Sequence, residues 1–135
     1  MNDGSPQLQR VLYIEDEEDI RLVAQIALEQ IGGLTTKTCA SGPEGLEAVD
    51  TFVPELILLD VMMPGMDGPS VLGKLRQRHA SNDIPVVFIT AKVQPDEVHR
   101  FKEMGAEAVI TKPFEPMTLA AQLQEIWSHF HAHRK

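Results

Sequence analysis

Leu56-Ile57-Leu58-Leu59-Asp60-Val61-Met62-Met63-Pro64-Gly65-Met66-Asp67-Gly68 is the stretch on which the reading of this chain turns. Four apolar residues run without alternation and end on an acid, and a loop rich in turn residues follows. An unbroken run of this length is expected of a strand buried on both faces of a parallel sheet. Three other runs share that character: Val11-Leu12-Tyr13-Ile14, Val86-Val87-Phe88-Ile89 and Ala108-Val109-Ile110. A weaker strand, Thr35 to Cys39, is rich in β-branched threonine and suits a sheet edge.

Helical periodicity fills the intervals. Ile20, Val23, Ala27 and Ile31 recur at one-turn spacing and predict the inward face of a first helix, stopped by Gly32-Gly33. Ser41-Gly-Pro-Glu44 matches a capping box with proline in the first turn, and Leu46, Val49 and Val53 predict the buried face behind it. Pro69 opens a third helix with Val71, Leu72 and Leu75 inward. Pro95 opens a fourth, with Val98 and Phe101 inward and Gly105 at its end. Leu119, Leu123, Ile126 and Phe130 mark a fifth.

Five strands alternating with five helices over 135 residues predict one α/β domain: a doubly wound (βα)5 parallel sheet with strand order 2-1-3-4-5. Its core is expected over about residues 10–131, with residues 1–9 a polar, mobile N-terminal stretch. Hydrophobic residues at 43% and charged residues at 24% suit a soluble globular protein. No apolar run approaches the roughly 18–20 residues of a membrane span, and Met1 to Gln9 carry no signal-peptide core, so a cytoplasmic location is expected. Twenty acidic residues against 12 basic ones, a formal net charge of −8, argue against a nucleic-acid-binding surface. The single cysteine, Cys39, lies in the edge strand and is read as a buried, inert thiol.

In a doubly wound sheet the ligand site lies at the carboxyl ends of the strands, where the winding reverses. Here that is the crevice between the first and third strands. The first ends in Glu15-Asp16 and the third in Asp60; the fourth ends in Thr90, and Lys112 follows the fifth. Clustered carboxylates repel one another unless positive charge lies among them. A hard divalent cation, bound by one or two carboxylates with water, is one source and Lys112 the other. Such a constellation suits phosphoryl transfer, with Asp60 as nucleophile and Thr90, Lys112 and the cation balancing charge on the phosphoryl oxygens. Each residue alone has a plainer reading, as a turn, a cap or a solvated charge. Glu17 to Asp19 are expected only to complement a helix dipole. The convergence of four strand ends carries the joint hypothesis.

With "VLYIEDEEDIR", "LILLDVMMPGMDG", "VVFITA" and "AVITKPF" in this order and spacing, the chain resembles the response-regulator receiver family from about Val11 into the last helix. The resemblance implies a flavodoxin-like fold and a stand-alone receiver that is a signalling phosphoacceptor rather than an enzyme. Asp60 then looks like the phosphoacceptor, assisted by Thr90 and Lys112. Asp16, Asp60, the backbone carbonyl of Met62 and, through water, Glu15 look like the site for Mg2+ or Mn2+. Lys112-Pro113 is expected to be a cis peptide. The loop glycines Gly65 and Gly68 are expected to permit unusual dihedrals. The implied partners are a sensor histidine kinase or phosphotransfer protein and a downstream protein, with no nucleic acid or membrane. The domain is expected to be a monomer or a weak, phosphorylation-dependent dimer. One departure stands out: many receivers carry Tyr or Phe three residues before the lysine, and this chain has Val109.

Three rival readings differ in what they require. A phospho-aspartyl phosphatase wants a second Asp two residues after the nucleophile, where this chain has Met62. A degenerate binding module should lack an acid, the threonine or the lysine, and none is missing. A flavin-type binder needs a phosphate-cradling loop after the first strand, where this chain has a block of acids. Outside the site, His129 and His133 lie one turn apart, a spacing that can hold a transition metal, but a helix C-terminus favours histidine on dipole grounds alone. His79 and His99 are assigned no role.

Overall fold

The structure is a computed structural model and describes residues 7–78 and 83–133. Residues 1–6 of the expected N-terminal stretch, and His79, lie outside the described residues. Five parallel strands, β1 (Arg10–Ile14), β2 (Thr35–Cys39), β3 (Leu56–Asp60), β4 (Val86–Thr90) and β5 (Ala108–Thr111), form one sheet in the order β2-β1-β3-β4-β5. The helices are α1 (Glu18–Ile26), α2 (Gly42–Phe52), α3 (Gly68–Arg78), α4 (Pro95–Met104) and α5 (Leu119–Ala132). The predicted architecture and strand order are both present.

Side chains of a strand alternate between faces, and here both faces are covered, which is why the runs do not alternate. Leu12, Ile14, Ile57, Leu59 and Phe88 form one core with α2, α3 and α4, through residues that include Leu46, Val49, Leu72 and Phe101. Val11, Tyr13, Leu58, Val87, Ile89 and Ile110 form the other, against Ala24, Ala27 and Leu28 of the first helical segment and Leu119, Leu123 and Trp127 of α5. Cys39 is buried, and burial, reinforced by nearby Glu44, pushes its thiol pKa up to about 11, in keeping with an inert thiol.

Several local expectations are corrected. The buried face of the first helix is Ala24, Ala27 and Leu28, while Val23 is 44% and Ile31 45% exposed. Small residues let the helix approach the sheet closely, and a π-helical segment, Ala27–Ile31, rotates the following side chains out of the α-helical phase. Leu8, placed in the polar N-terminal stretch, is buried; its N–H donates to Gln124 Oε1 at 3.1 Å and its carbonyl accepts from Gln124 Nε2 at 2.9 Å. The capping box is also displaced. Ser41 Oγ accepts from the Glu44 N–H, but the Glu44 carboxylate accepts from the Ala40 N–H, one residue further upstream.

Val53 does not extend the buried face of α2. It ends the helix at φ 54°, is 64% exposed, and leaves the neighbouring carbonyls of Phe52 and Val53 to the Arg10 guanidinium. A β-branched residue in the left-handed region carries a steric cost of about 1–2 kcal/mol that glycine avoids. Val53→Gly is therefore expected to raise stability by about 0.5–1 kcal/mol once glycine's freer unfolded chain is allowed for. Urea unfolding reads this directly, and an unchanged or lower midpoint would contradict it.

Candidate functional site

The sheet order brings together what the sequence separates. β1 pairs with β3 in the register Ile14↔Leu59, so Glu15 and Asp16 leave one strand beside Asp60 on the next. β3 pairs with β4 and β4 with β5, which sets Thr90 beside Thr111 and brings Lys112 to the same edge. Glu15, Asp60 and Thr90 are buried and Asp16 is half-buried. Carboxylate oxygens of Glu15, Asp16 and Asp60 all lie within 4.8 Å of one another. The Lys112 ammonium sits among them, with Nζ 2.8 Å from Glu15 Oε1 and 3.2 Å from Asp60 Oδ1. All five predicted side chains are at one end of the sheet.

Charge in this cluster is finely set. Burial pushes the Asp60 carboxyl up to about 7, and the charge of Glu15 adds to the rise while Lys112 opposes it. Burial favours neutral Lys112, yet its hydrogen bonds and the charges of Glu15 and Asp60 prevail and hold its pKa above the ordinary lysine value. Asp60 Oδ1 and its neighbours thus form an anionic pocket in which one lysine balances two or three acids. An oxygen-only donor set of this size fits a hard divalent cation.

The flanking loops are built to hold these groups. Glu18 and Asp19 open α1 and complement its dipole, but Glu17 at its N-cap makes no side-chain capping bond. Asp67 Oδ1 accepts from the Ser70 N–H at 2.9 Å and so starts α3, while the Gly68 N–H closes the acceptor loop onto the Val61 carbonyl at 2.9 Å. Gly65 has φ 80°, as its turn position requires. Gly68 has a different reason from the expected one: its φ is not positive, but a Cβ there would lie 2.7 Å from the Asp60 carbonyl oxygen. Met62, two residues beyond Asp60, is 62% exposed. The Thr90 hydroxyl oxygen accepts from the Lys92 N–H at 3.1 Å, which leaves its own proton to donate. Lys112-Pro113 is cis, as expected.

Two residues escaped the sequence reading. Tyr13 looked like core and is fully buried, yet its hydroxyl donates to Glu15 Oε1 at 2.9 Å. Burial, reinforced by the charge of Glu15, raises its pKa far above the ordinary phenol value, so the hydroxyl keeps its proton. Arg21 donates from its guanidinium to the Glu15 backbone carbonyl at 2.8 Å. The signal for Tyr13 was its parity: residues two apart on a strand share a face.

Comparison with known proteins agrees with the fold. The family profile described as "Response regulator receiver domain" matches residues 11–124. The chain is 36% identical to the transcriptional regulatory protein CseB of Streptomyces avermitilis, over 89% of this chain and 49% of that protein. It is 36% identical to the alkaline phosphatase synthesis transcriptional regulatory protein PhoP of Bacillus subtilis, over 87% of this chain and 48% of that one. Among solved structures, the Vibrio cholerae chemotaxis protein CheY4 superposes with a TM-score of 0.81 at 28% identity, covering 88% of this chain and 98% of that one. The sheet order together with these matches defines the class as the CheY-like receiver fold of signalling proteins. The chain belongs to the response-regulator receiver family, the receiver domains of two-component signalling. It spans about half the length of the curated relatives it matches. Among the described residues no helix is long and apolar enough to cross a membrane.

Proposed function

We propose that Asp60 accepts a phosphoryl group from a phosphohistidine of a sensor histidine kinase or phosphotransfer protein, and that this changes the domain's affinity for a downstream protein. The observation that carries the reading is the Lys112 ammonium held between Glu15 and buried Asp60, at 2.8 and 3.2 Å. A carboxylate oxygen of Asp60 attacks phosphorus, the P–N bond breaks, and the imidazole leaves with the electron pair and takes a proton. Lys112 moves its hydrogen bond from Asp60 to a phosphoryl oxygen, and Thr90 donates its free hydroxyl proton to another.

Asp16 and Asp60, with the Met62 carbonyl, would hold Mg2+ or Mn2+, and Glu15 would join them through water. When bound, the cation supplies positive charge that keeps Asp60 ionised, as a nucleophile must be, and offsets charge on the phosphoryl oxygens. A carboxyl with a pKa of about 7 is only part-ionised at neutral pH without that charge. The domain on this reading is a phosphoacceptor that promotes only its own phosphorylation and slow dephosphorylation, in the cytoplasm, with protein partners and no nucleic-acid or membrane contact of its own. It would be a monomer or dimerise weakly when phosphorylated. With Val109 only half-buried where many receivers place an aromatic ring, the output surface of β5 and α5 would respond through Thr90 without a ring movement.

Intact-mass spectrometry after incubation with acetyl phosphate tests this. A single phosphoryl adduct is expected on the wild-type chain with Mg2+, and none with chelator or in Asp60→Asn. Absence of an adduct beside an active control receiver would leave the domain as a constitutive binding module.

A further inference from the structure

The hydroxyl of Tyr13 has no packing role that phenylalanine would not fill. The ring lies in the core between the sheet and the α1–α5 layer, and a hydroxyl buried there costs free energy unless it is bonded. Its bond is to Glu15 Oε1, the oxygen that also receives Lys112 Nζ. The other Glu15 oxygen, Oε2, accepts from the Glu17 N–H at 3.2 Å. Three donors therefore fix a carboxylate that is fully buried. Glu15 is in turn one of only two acids, with Asp60, that hold Lys112 in place among the described residues.

From this chain Tyr13–Glu15–Lys112–Asp60 we infer that Tyr13 is a positioning residue for phosphoryl acceptance: by engaging Glu15 it fixes Glu15 as the anchor of Lys112, and thereby sets the ammonium where it meets the group arriving on Asp60. The inference rests on the phosphoacceptor reading of Asp60. Without the hydroxyl, Glu15 Oε1 keeps only one of its two donors and the carboxylate is free to turn. Lys112 then samples positions that do not meet the phosphoryl oxygens, whereas Asp16 is untouched and Glu15 would meet the cation only through water. Binding of the cation and the rate of transfer should consequently part company.

Tyr13→Phe tests this, measured beside the wild-type chain. With acetyl phosphate at saturating Mg2+, its rate of adduct formation is expected to fall about fivefold to tenfold, the effect of losing one charge-assisted hydrogen bond. The Mg2+ concentration for half the maximal rate should move less than about twofold. A second reading needs neither Mg2+ nor phosphate: the 15N ammonium resonance of Lys112 in the metal-free protein should be sharp and shifted in the wild type, and broadened or moved toward the free-lysine position in Tyr13→Phe. An unchanged rate and unchanged Lys112 resonance would overturn the inference, as would a rate loss matched by an equal weakening of Mg2+ binding. If the wild-type chain itself forms no adduct, the phosphoacceptor reading fails, and the Lys112 resonance still reports whether Tyr13 orders the ammonium.

Discussion

Asp60→Asn should make the metal-free protein more stable at pH 8 by about 2 kcal/mol, although it destroys the proposed acceptor. The Asp60 carboxyl has its pKa raised from 3.8 to about 7 in the fold, chiefly by burial and then by Glu15. The folded state therefore holds this proton more tightly than the unfolded chain. Stability from this group is fully present below about pH 4 and is lost as pH rises through about 7. Three pKa units correspond to ~4 kcal/mol as an upper bound, a figure that already contains the opposing pull of Lys112, and relaxation of the site around the charge lowers it. Urea unfolding at pH 5 and pH 8 checks the sign: the gap between variant and wild type should widen toward pH 8. A variant no more stable than wild type at pH 8 would refute this account of the site's charge. A divalent cation should reverse the ranking, since a ligand at one hundred times its Kd adds about 2.7 kcal/mol to the form that binds it. The acceptor is thus placed at a cost in stability, which is the ordinary condition of a reactive carboxylate out of water.

Gly68→Ala is expected to shift stability by a comparable amount in the opposite direction, for a purely steric reason. The added methyl would meet the Asp60 carbonyl oxygen at 2.7 Å and the Val61 Cα at 2.9 Å, both backbone atoms that cannot turn aside. The loop and the end of β3 must shift together, at a cost of about 2–3 kcal/mol. Because the moved atoms belong to Asp60 itself, phosphoryl acceptance should fall at least about tenfold even in the fraction that remains folded, since small displacements of reacting groups are costly. Gly73→Ala in the same helix is the control. It is exposed and a Cβ there has open space, so helix propensity alone should stabilise it by about 0.5–1 kcal/mol. Equal behaviour of the two variants in denaturation and in adduct formation would show that the close approach behind Asp60 carries no weight.

The site was legible in the sequence to an unusual depth because its residues sit at strand ends. Each apolar run names a strand, and a right-handed alternation of strands and helices leaves few sheet orders. Once the order is known, Glu15, Asp16, Asp60, Thr90 and Lys112 must meet, whatever their separation along the chain. The same logic did not reach the helices' fine phase. Ile20, Val23, Ala27 and Ile31 have sound α-helical spacing, and Ala27 and Ile20 do pack on the core, but Val23 and Ile31 are exposed and Ala24 and Leu28 take their place. At Ala24 a small residue lets the helix pack close to the sheet, and past it the π-helical segment changes the phase that brings Leu28 inward. Val53 failed similarly, since a helix stop at φ 54° on a β-branched residue has no local signature.

Sequence by itself determined the strands, the alternation, the acid-rich strand ends and the family, because these depend on local burial and on residue chemistry that order along the chain preserves. Only the tertiary structure decided how the cluster is wired. That Tyr13 donates to Glu15, that one Glu15 oxygen also receives Lys112, and that Gly68 is small for the sake of the Asp60 backbone are matters of a few ångströms across the sheet. Contacts of that kind depend on register, twist and the approach of neighbouring loops, which no periodicity along one strand records.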